Sequence, residues 1–339
     1  MAGRPSPTQM ASAMTRQKTA YHYSIDQCDV CDKLALAEFR EKRMLWLEWL
    51  NDDDVHAIWP QISSALWNDI AFRTIANMAE GFPDSALHNS VLTEALLQGY
   101  YSVQVLTIRR LLDRRSDVIS LRRLIKEIEN NLHLFTRENY VAHDGLPYDY
   151  ETVERQKMLE ILAAGGGAFW AEREGPKAYT PAKMLHATFD SILGSSAGTR
   201  SRTDRMSPKV TAALGRWLDE SEADQIVMWS HKMLAHAADS ASRGQVKLDE
   251  IGPNLEKVAK VHRAFVRVAE ALGAYVLADS GHGTAVPVPQ FNQFEKLDGT
   301  VLKEDQVPAL RELWYGLSKE RGAWLDEARE ALTASLSEP

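Results

Sequence analysis

Cysteine is scarce in this chain, because 339 residues include only Cys28 and Cys31, spaced as Cys-x-x-Cys. One such pair supplies half of the ligands of a structural zinc site, and although His22 is near, no fourth ligand is evident. A thioredoxin-like redox motif needs a strand before the pair, whereas the sequence predicts only a helix after it. We therefore predict no metal and no cofactor, and the role of the two cysteines stays open.

Long apolar runs are also missing. No stretch approaches the roughly 18 apolar residues that a bilayer-spanning helix requires. Residues 1–20 contain three cations, no acidic residue and no apolar segment of the secretory type, so they predict a flexible tail. On these grounds we expect a cytoplasmic protein without a membrane partner.

Strand-like alternation is almost absent, and so are the common nucleotide and metal motifs. There is no phosphate-binding Gly-x-x-x-x-Gly-Lys-Ser/Thr, no Gly-x-Gly-x-x-Gly after a strand and no His-Glu-x-x-His. The run 194–198 matches Gly-x-Ser-x-Gly, but it lacks the preceding strand that a nucleophile elbow needs. The net charge of −8 further excludes non-specific polyanion binding by the whole surface, so any nucleic-acid contact must come from a local patch.

What the sequence does contain is helical periodicity, which predicts an all-α fold. The aliphatic helix over 87–113 is predicted to be the central one. The expected organisation is a tail over 1–20, a helical bundle over 21–280 with a loop-rich insertion at 173–208, and a linker and C-terminal helix over 281–339. Helices are predicted over 33–50, 55–80, 87–113, 121–141, 151–163, 181–193, 208–219, 222–241, 249–279 and 305–334. Ser120 is predicted to cap the 121–141 helix, and the inner apolar stripe of the 249–279 helix is predicted to include Val261 and Phe265.

The helix predicted over 222–241 carries the best candidate for proton transfer. Lys232, His236 and Asp239 are spaced i, i+4 and i+7, so they share one face. The apolar stripe of this helix is predicted to include Ile226, Trp229 and Met233. Because His236 lies at the border of that stripe, partial burial would keep its ring neutral and basic near pH 7. The alternative is a packed structural histidine, which is the common role of a ring at such a border.

A basic cluster surrounds the end of the 87–113 helix and the start of the next one. Its guanidinium groups either form a solvated face paired with neighbouring acidic residues or form an edge that contacts phosphates. Its predicted phosphate-binding members are Arg109, Arg110, Arg114, Arg115, Arg122 and Arg123.

A second histidine candidate follows in the segment 137–150. The Asp-Gly and Leu-Pro pairs there predict a turn, so His143 is expected at the C-terminal end of a helix. The negative end of the helix dipole would favour a charged imidazolium at that position.

Taken together, the segments 108–113, 137–150 and 230–239 resemble the HEPN superfamily, and within it the abortive-infection HEPN proteins of bacteria. The resemblance covers roughly residues 33–280 and implies an antiparallel bundle with metal-independent ribonuclease activity and homodimers. The family signature is an arginine followed, after four to six residues, by a histidine. His236 corresponds to that histidine by position, while His231 and Lys232 stand where the arginine is expected. Arg137 and His143 match the spacing itself.

The resemblance implies that a neutral His236 removes the ribose 2′-hydroxyl proton and that the oxygen attacks the neighbouring phosphorus. Cations at Lys232, Arg109 or Arg110 would offset the developing charge, and Asp113 or Asp239 would orient the ring. The alternative is a catalytically inactive helical module that senses or binds a partner protein, a reading that the missing arginine favours. A lysine neutralises a phosphate but does not form the two-pronged contact that an arginine does.

Overall fold

The computed structural model describes residues 21–53, 55–82, 86–88, 90–166, 172–192, 200–235, 251–279, 281–295 and 307–337. Within these ranges the chain is helical, and its only β pairing is one isolated antiparallel bridge between Thr136 and Arg205. The all-α prediction is therefore confirmed for the described residues. None of the described helices combines the length and the hydropathy that crossing a bilayer requires.

The described helices agree with most of the predicted ones, and short π-helical turns extend three of them, α1, α9 and α10. They are α1 (Lys33–Leu47), α2 (Ile58–Gly81), α3 (Ser90–Leu112), α4 (Leu121–Asn130), α5 (Arg137–Ala142), α6 (Tyr150–Ala163), α7 (Tyr179–Ser191), α8 (Pro208–Glu220), α9 (Ala223–Ser230), α10 (Leu255–Glu270) and α11 (Val307–Ser337).

Helix α10, and not α3, occupies the middle of the bundle. It packs against α2, α4, α8 and α11. The predicted stripe residues Val261 and Phe265 are buried, and so is Val266 outside that stripe. By contrast, Val103 and Leu106 on α3 are 40% and 48% exposed. The prediction of a central 87–113 helix is wrong because both helices are aliphatic, and composition does not reveal which one is enclosed.

The predicted continuous helix over 121–141 is also wrong, because the chain breaks it into α4, a 3₁₀ turn and α5. Ser120 caps α4 as expected, since its hydroxyl accepts a hydrogen bond from the backbone N–H of Arg123. The Thr136 hydroxyl accepts a hydrogen bond from the backbone N–H of Asn139, and this second cap starts the separate helix α5. The segment that precedes α8 packs over the first residues of α5, because the backbone N–H groups of Arg137 and Glu138 donate hydrogen bonds to carbonyl groups within residues 201–206.

The C-terminal helix α11 packs within its own chain, against α2, α8 and α10. A buried ion pair fixes it there, since Arg321 Nη2 lies 2.9 Å from Asp69 Oδ2 and both side chains are almost completely enclosed. The Tyr100 hydroxyl donates a hydrogen bond to the same carboxylate. Helix α11 is thus part of the core and not an appendage.

We predict that Arg321→Met lowers the free energy of unfolding by about 3–5 kcal/mol, because it leaves Asp69 buried without one of its cations. Urea denaturation monitored by circular dichroism measures the change. The matched control is Arg263→Met, which removes the half-exposed ion pair to Glu327 that also joins α10 to α11. It should cost at most about 1 kcal/mol. Equal losses in the two variants would contradict the assignment.

Candidate functional site

Arg137, one of the two residues that match the arginine–histidine spacing, is enclosed in the protein. Its side chain has no exposed area, and its Nη1 and Nε lie 2.7 and 2.9 Å from carboxylate oxygens of Asp190 and Asp204. Its guanidinium also lies over the Phe189 ring, 4.6 Å from the centroid. Two carboxylates already satisfy this cation, so the geometry does not favour its use on a phosphate.

His186, which the sequence did not single out, completes this cluster. Its Nδ1 is 3.5 Å from Arg137 Nη1, and its Nε2 donates to the carbonyl of Tyr148 at 2.9 Å. Burial lowers the pKa of His186, the hydrogen bond to Tyr148 raises it and the neighbouring Arg137 and Arg200 lower it further. The cluster ties α5, α7 and the 200–206 segment together, and its enclosure indicates a structural role.

His143 caps the C-terminal end of α5, as predicted, but its charge state is the opposite of the expected one. Burial lowers its pKa to about 3; the cations of Arg43 and Arg40 add to that effect, and the hydrogen bond to the Tyr140 carbonyl opposes it. Nδ1 lies 2.9 Å from that carbonyl oxygen, so the ring donates there as a neutral imidazole. The expectation of an imidazolium at this helix end is wrong, because loss of hydration outweighs the helix dipole.

Arg137 and His143 do not form a joint site. Six residues separate them, which places their side chains about 120° apart around a helix. Arg137 contacts the carboxylates of Asp190 and Asp204, whereas the His143 ring packs near Tyr21 and Phe39. Although Arg137 and His143 have the family spacing in the sequence, the fold does not bring their side chains together.

The helix expected to carry the catalytic histidine is described from Ala223 to Ala235, with a π-helical turn over His231–Ala235. His236 and Asp239 lie outside the described residues, while His231 and Lys232 are half-buried. The buried line of this helix runs through Ala223, Ile226 and Ser230. Met233, expected in the apolar stripe, is 40% exposed, so the stripe is rotated from the predicted one.

Some cations of the basic cluster lie at the open surface and others line a cleft, and members of both groups have acidic partners. Arg115 pairs with Asp113 and Asp117 at the surface, as the solvated-face alternative predicted. Arg109 is half-buried and Arg110 is exposed on the last turn of α3. The structure brings Arg114, Arg122 and Arg123 together with Lys126 around one surface cleft between the α3–α4 connection, α4 and α8.

This cleft has four cations and two carboxylates, those of Glu127 and Glu129, in its lining. Arg123 is held in place, because its guanidinium lies 4.0 Å over the Trp49 ring and Nη1 donates to the Val118 carbonyl. The arginine is therefore preorganised before any ligand arrives. Ser116 and Gly215, which also line the cleft, carried no recognisable signal in the sequence.

Local electrostatics make this cleft an unusual place for arginine. Arg122 and Arg123 lie in the first turn of α4, which contains no acidic residue. The N-terminal end of a helix carries partial positive charge, so two guanidinium groups there oppose the dipole. Asp219 and Asp224 compensate in part, since both lie within ion-pair distance of Arg122 Nη2. Arg114 is 70% exposed and pairs with Asp224, and Lys126 is 66% exposed with its Nζ 2.9 Å from Glu129 Oε2. Exposed pairs of this kind are weak, so a phosphate could share or displace these partners.

Among the described residues, no three His, Cys, Asp or Glu side chains are grouped in a way that could hold a metal ion. Cys28 is buried and its Sγ accepts a hydrogen bond from Arg40 Nη2, while Cys31 is exposed. Both cysteines are free thiols, and their role stays open.

No protein-family model, curated protein or solved structure matches this chain.

The buried neutral state of His143 predicts a pH-dependent stability. The ring has a pKa of about 3 in the folded protein and near 6.5 when unfolded, so below pH 6.5 only the unfolded chain gains the proton. The free energy of unfolding should fall as the pH falls, by about 1.4 kcal/mol per pH unit from this ring, until the pH nears its folded pKa.

The variant His143→Asn tests this slope, because the amide can still donate to Tyr140 but does not titrate. We expect its slope between about pH 6 and pH 4.5 to be smaller than the parent's by close to one proton. Chemical denaturation at several pH values gives both slopes. His133→Asn, which alters an exposed ring, should leave the slope unchanged. A parent-like slope in His143→Asn would show that the ring is charged in the folded protein.

Proposed function

We propose that this chain is a HEPN-like RNA-binding protein that acts as a metal-independent endoribonuclease, in a bacterial defence role that the family resemblance suggests. The observation that supports the RNA-binding part is the cleft along α4, whose lining contains four cations. Arginine forks and lysine ammonium groups suit phosphate oxygens, and a helix N-terminus adds to their attraction for anions.

The cleft adjoins the helix that the resemblance assigns to catalysis. Asp224, in the first turn of α9, lies 3.7 Å from Arg114 Nη2 and 3.4 Å from Arg122 Nη2. Helix α9 therefore begins at the basic cleft and leads, along the chain, to Lys232 and His236. RNA held at the cleft would approach the segment that supplies the proposed base.

The proposed chemistry is an internal transesterification. His236 takes the proton of a ribose 2′-hydroxyl, and the 2′-oxygen forms a bond to the adjacent phosphorus as the bond to the 5′-oxygen breaks. The products are a 2′,3′-cyclic phosphate and a 5′-hydroxyl, whose proton comes from the medium or from the protonated imidazole. Lys232 would offset charge on the phosphorane.

A second candidate function has support from one specific observation. Arg137 is the arginine of the three HEPN-like segments that satisfies the family spacing to a histidine, and two carboxylates enclose it. This favours a catalytically inactive module that binds RNA or a partner protein without cleaving. Both candidates use the same cleft, so RNA binding and RNA cleavage need separate tests.

Binding should weaken when cleft cations are removed. We predict that the double variant Arg114→Gln/Lys126→Gln binds labelled single-stranded RNA about tenfold more weakly, because it loses two phosphate contacts. The slope of log affinity against log salt should shrink by about 1.4, or 0.7 per contact. Fluorescence anisotropy across a salt series measures both.

The matched control is Lys183→Gln/Lys260→Gln. It removes two similarly exposed lysines, on α7 and α10, that lie outside the cleft lining. Equal losses in both double variants would point to non-specific attraction, and an unchanged slope in the cleft variant would reject this site.

Cleavage should proceed in excess EDTA and stop when the nucleophile is removed. We expect a substrate with a single 2′-deoxy residue at the cut position to resist cleavage, and His236→Ala to slow the reaction by at least about 100-fold. His143→Asn should retain activity, because its ring is buried away from solvent. Gel analysis of end groups identifies the products.

Intact RNA with undiminished binding would favour the inactive module. Cleavage that EDTA abolishes, or that His236→Ala leaves unchanged, would contradict the proposed mechanism.

A further inference from the structure

The segment that precedes α1, residues 21–31 (the strap), is held by atoms from several distant parts of the chain. The Asp144 carboxylate accepts two consecutive backbone N–H groups of the strap, at 2.9 and 3.0 Å. The Tyr23 ring fills the space beside Gly145 and Gly175, and a Cβ built on either glycine would overlap it. Both glycines have a φ of +79°, which larger residues rarely adopt, so this slot depends on glycine at both positions.

The strap contains both cysteines of the chain, and their surroundings differ. The Cys28 Sγ is buried and accepts a hydrogen bond from Arg40 Nη2 at 2.9 Å. It also lies 3.4 and 3.7 Å from the carbonyl oxygens of Ser24 and His143. Cys31, three residues further on, is exposed. An accessible thiol with a second thiol close by in the chain is the arrangement found in redox-sensing cysteine pairs.

The chain turns back between the two cysteines. The backbone N–H of Val30 donates to the Cys28 carbonyl at 2.9 Å, so the direction reverses at Asp29. Arg202 holds this turn, because its Nη1 and Nη2 each lie 2.8 Å from an oxygen of Asp29. A disulfide needs Cα atoms within about 7 Å of each other, and a turn of this kind shortens the distance between the ends of Cys-x-x-Cys. Because one sulfur is enclosed and the other thiol is in solvent, bond formation must still move at least one of them.

We propose that this pair is an oxidative modification site, at which a hydroperoxide converts Cys28 and Cys31 into an intrachain disulfide that releases the strap. The Cys31 sulfur attacks one oxygen of the hydroperoxide, the O–O bond breaks, and a sulfenic acid forms. The leaving oxygen takes up the proton that the Cys31 thiol has lost. The Cys28 sulfur then bonds to the Cys31 sulfur, the S–O bond breaks, and the hydroxyl departs as water with the Cys28 proton. Two thiols are oxidised and one hydroperoxide is reduced, and a dithiol reductant restores the thiols.

Closing the bond removes a contact that holds the strap, whichever sulfur moves. If Cys28 leaves its enclosed position, Arg40 Nη2 loses its hydrogen bond to the sulfur. If Cys31 moves inward instead, its backbone N–H leaves Glu138 Oε2, from which it now lies 3.0 Å away. The reduced strap therefore resists bond formation, and the disulfide loosens the strap.

The strap also covers His143, and Arg40 connects the two. The Arg40 guanidinium carbon lies 4.4 Å from the centroid of the Tyr21 ring, and that ring meets the His143 ring edge-on with 6.0 Å between centroids. Arg40 Nε donates to the His143 carbonyl at 2.6 Å, while Nη2 of the same group contacts the Cys28 sulfur. A change at the sulfur is thus transmitted through one guanidinium to the end of α5.

The inference does not depend on the proposed RNA binding. The basic cleft is lined by residues of the α3–α4 connection, α4 and α8, and no strap residue is among them. Oxidation of the strap and affinity for RNA are therefore measured separately, and failure of one proposal is distinguishable from failure of the other.

Mass spectrometry tests the chemistry directly, because one tryptic peptide, residues 19–33, contains both cysteines. After brief treatment of the full chain with hydrogen peroxide, we expect this peptide to be lighter by two hydrogen atoms, to resist alkylation and to regain its mass with dithiothreitol. Cys28→Ser should yield oxygen adducts at Cys31 instead, and Cys31→Ser should leave the enclosed Cys28 unmodified. Two alkylatable thiols in the treated parent protein, or a sulfinic acid in place of the disulfide, would overturn the proposal.

Amide hydrogen exchange tests the release of the strap. In the disulfide form the strap amides should exchange at least about tenfold faster than in the reduced protein, whereas the α4 amides should not change. The peroxide-treated double variant Cys28→Ser/Cys31→Ser is the control and should show no acceleration. A disulfide form whose strap is as protected as that of the reduced protein would refute the coupling between the bond and the strap.

A matched pair of glycine variants tests the coupling in the opposite direction. Gly175→Ala displaces the Tyr23 ring and should speed disulfide formation by about tenfold, because bond formation needs a loosened strap. Gly165→Ala imposes similar backbone strain, at a φ of +83°, but its Cβ meets nothing within 4 Å and should leave the rate unchanged. Equal rates of disulfide formation in the two variants, followed by alkylation after timed peroxide treatment, would contradict the role of the strap.

Discussion

A charge inside a helical bundle is stable only when a partner within the bundle replaces the water it has lost. Four enclosed arginines meet this condition, and each one joins elements that are distant in sequence. Arg40 and Arg43 donate to the carbonyls of His143 and Leu277, which ties α1 to the ends of α5 and α10. Arg321 joins α11 to α2, and Arg137 joins α5 to α7 and the 200–206 segment. The arrangement of the helices therefore depends on these pairs as well as on apolar packing.

The same condition separates the enclosed cations from those at the rim of the bundle. Arginines that enter the bundle donate to carboxylates and carbonyls, and their side chains are closed to solvent. Those at its rim, such as Arg114 and Arg123, are held by one exposed carboxylate or by an aromatic ring and a carbonyl, and they line an open cleft. A spacing pattern in the sequence does not distinguish the two groups. Arg137 and His143 match the family spacing, yet both are enclosed and point to different neighbours.

Local signals predicted the helices well, because periodicity and caps act within one or two turns. Ser120 caps α4 as expected, whereas a second cap at Thr136 divides into two helices the segment for which the sequence predicts one. Relations between distant segments were harder to predict. The burial of α10 depends on the helices that pack around it. The ion pair between Arg122 and Asp219 joins residues that are almost a hundred positions apart in the sequence. The basic cluster was recognisable, but its division into a cleft and a solvated face was not.

Two adjacent regions depart from the sequence that stability alone would favour. Charged residues on the outer face of α3 would improve solubility, and acidic residues in the first turn of α4 would suit the helix dipole. The chain has neither: α3 exposes aliphatic residues, and α4 begins with two arginines. Departures of this kind are expected where a surface serves a partner rather than the fold. Because one departure is apolar and the other cationic, a partner of the first surface would have to be apolar and a partner of the second anionic.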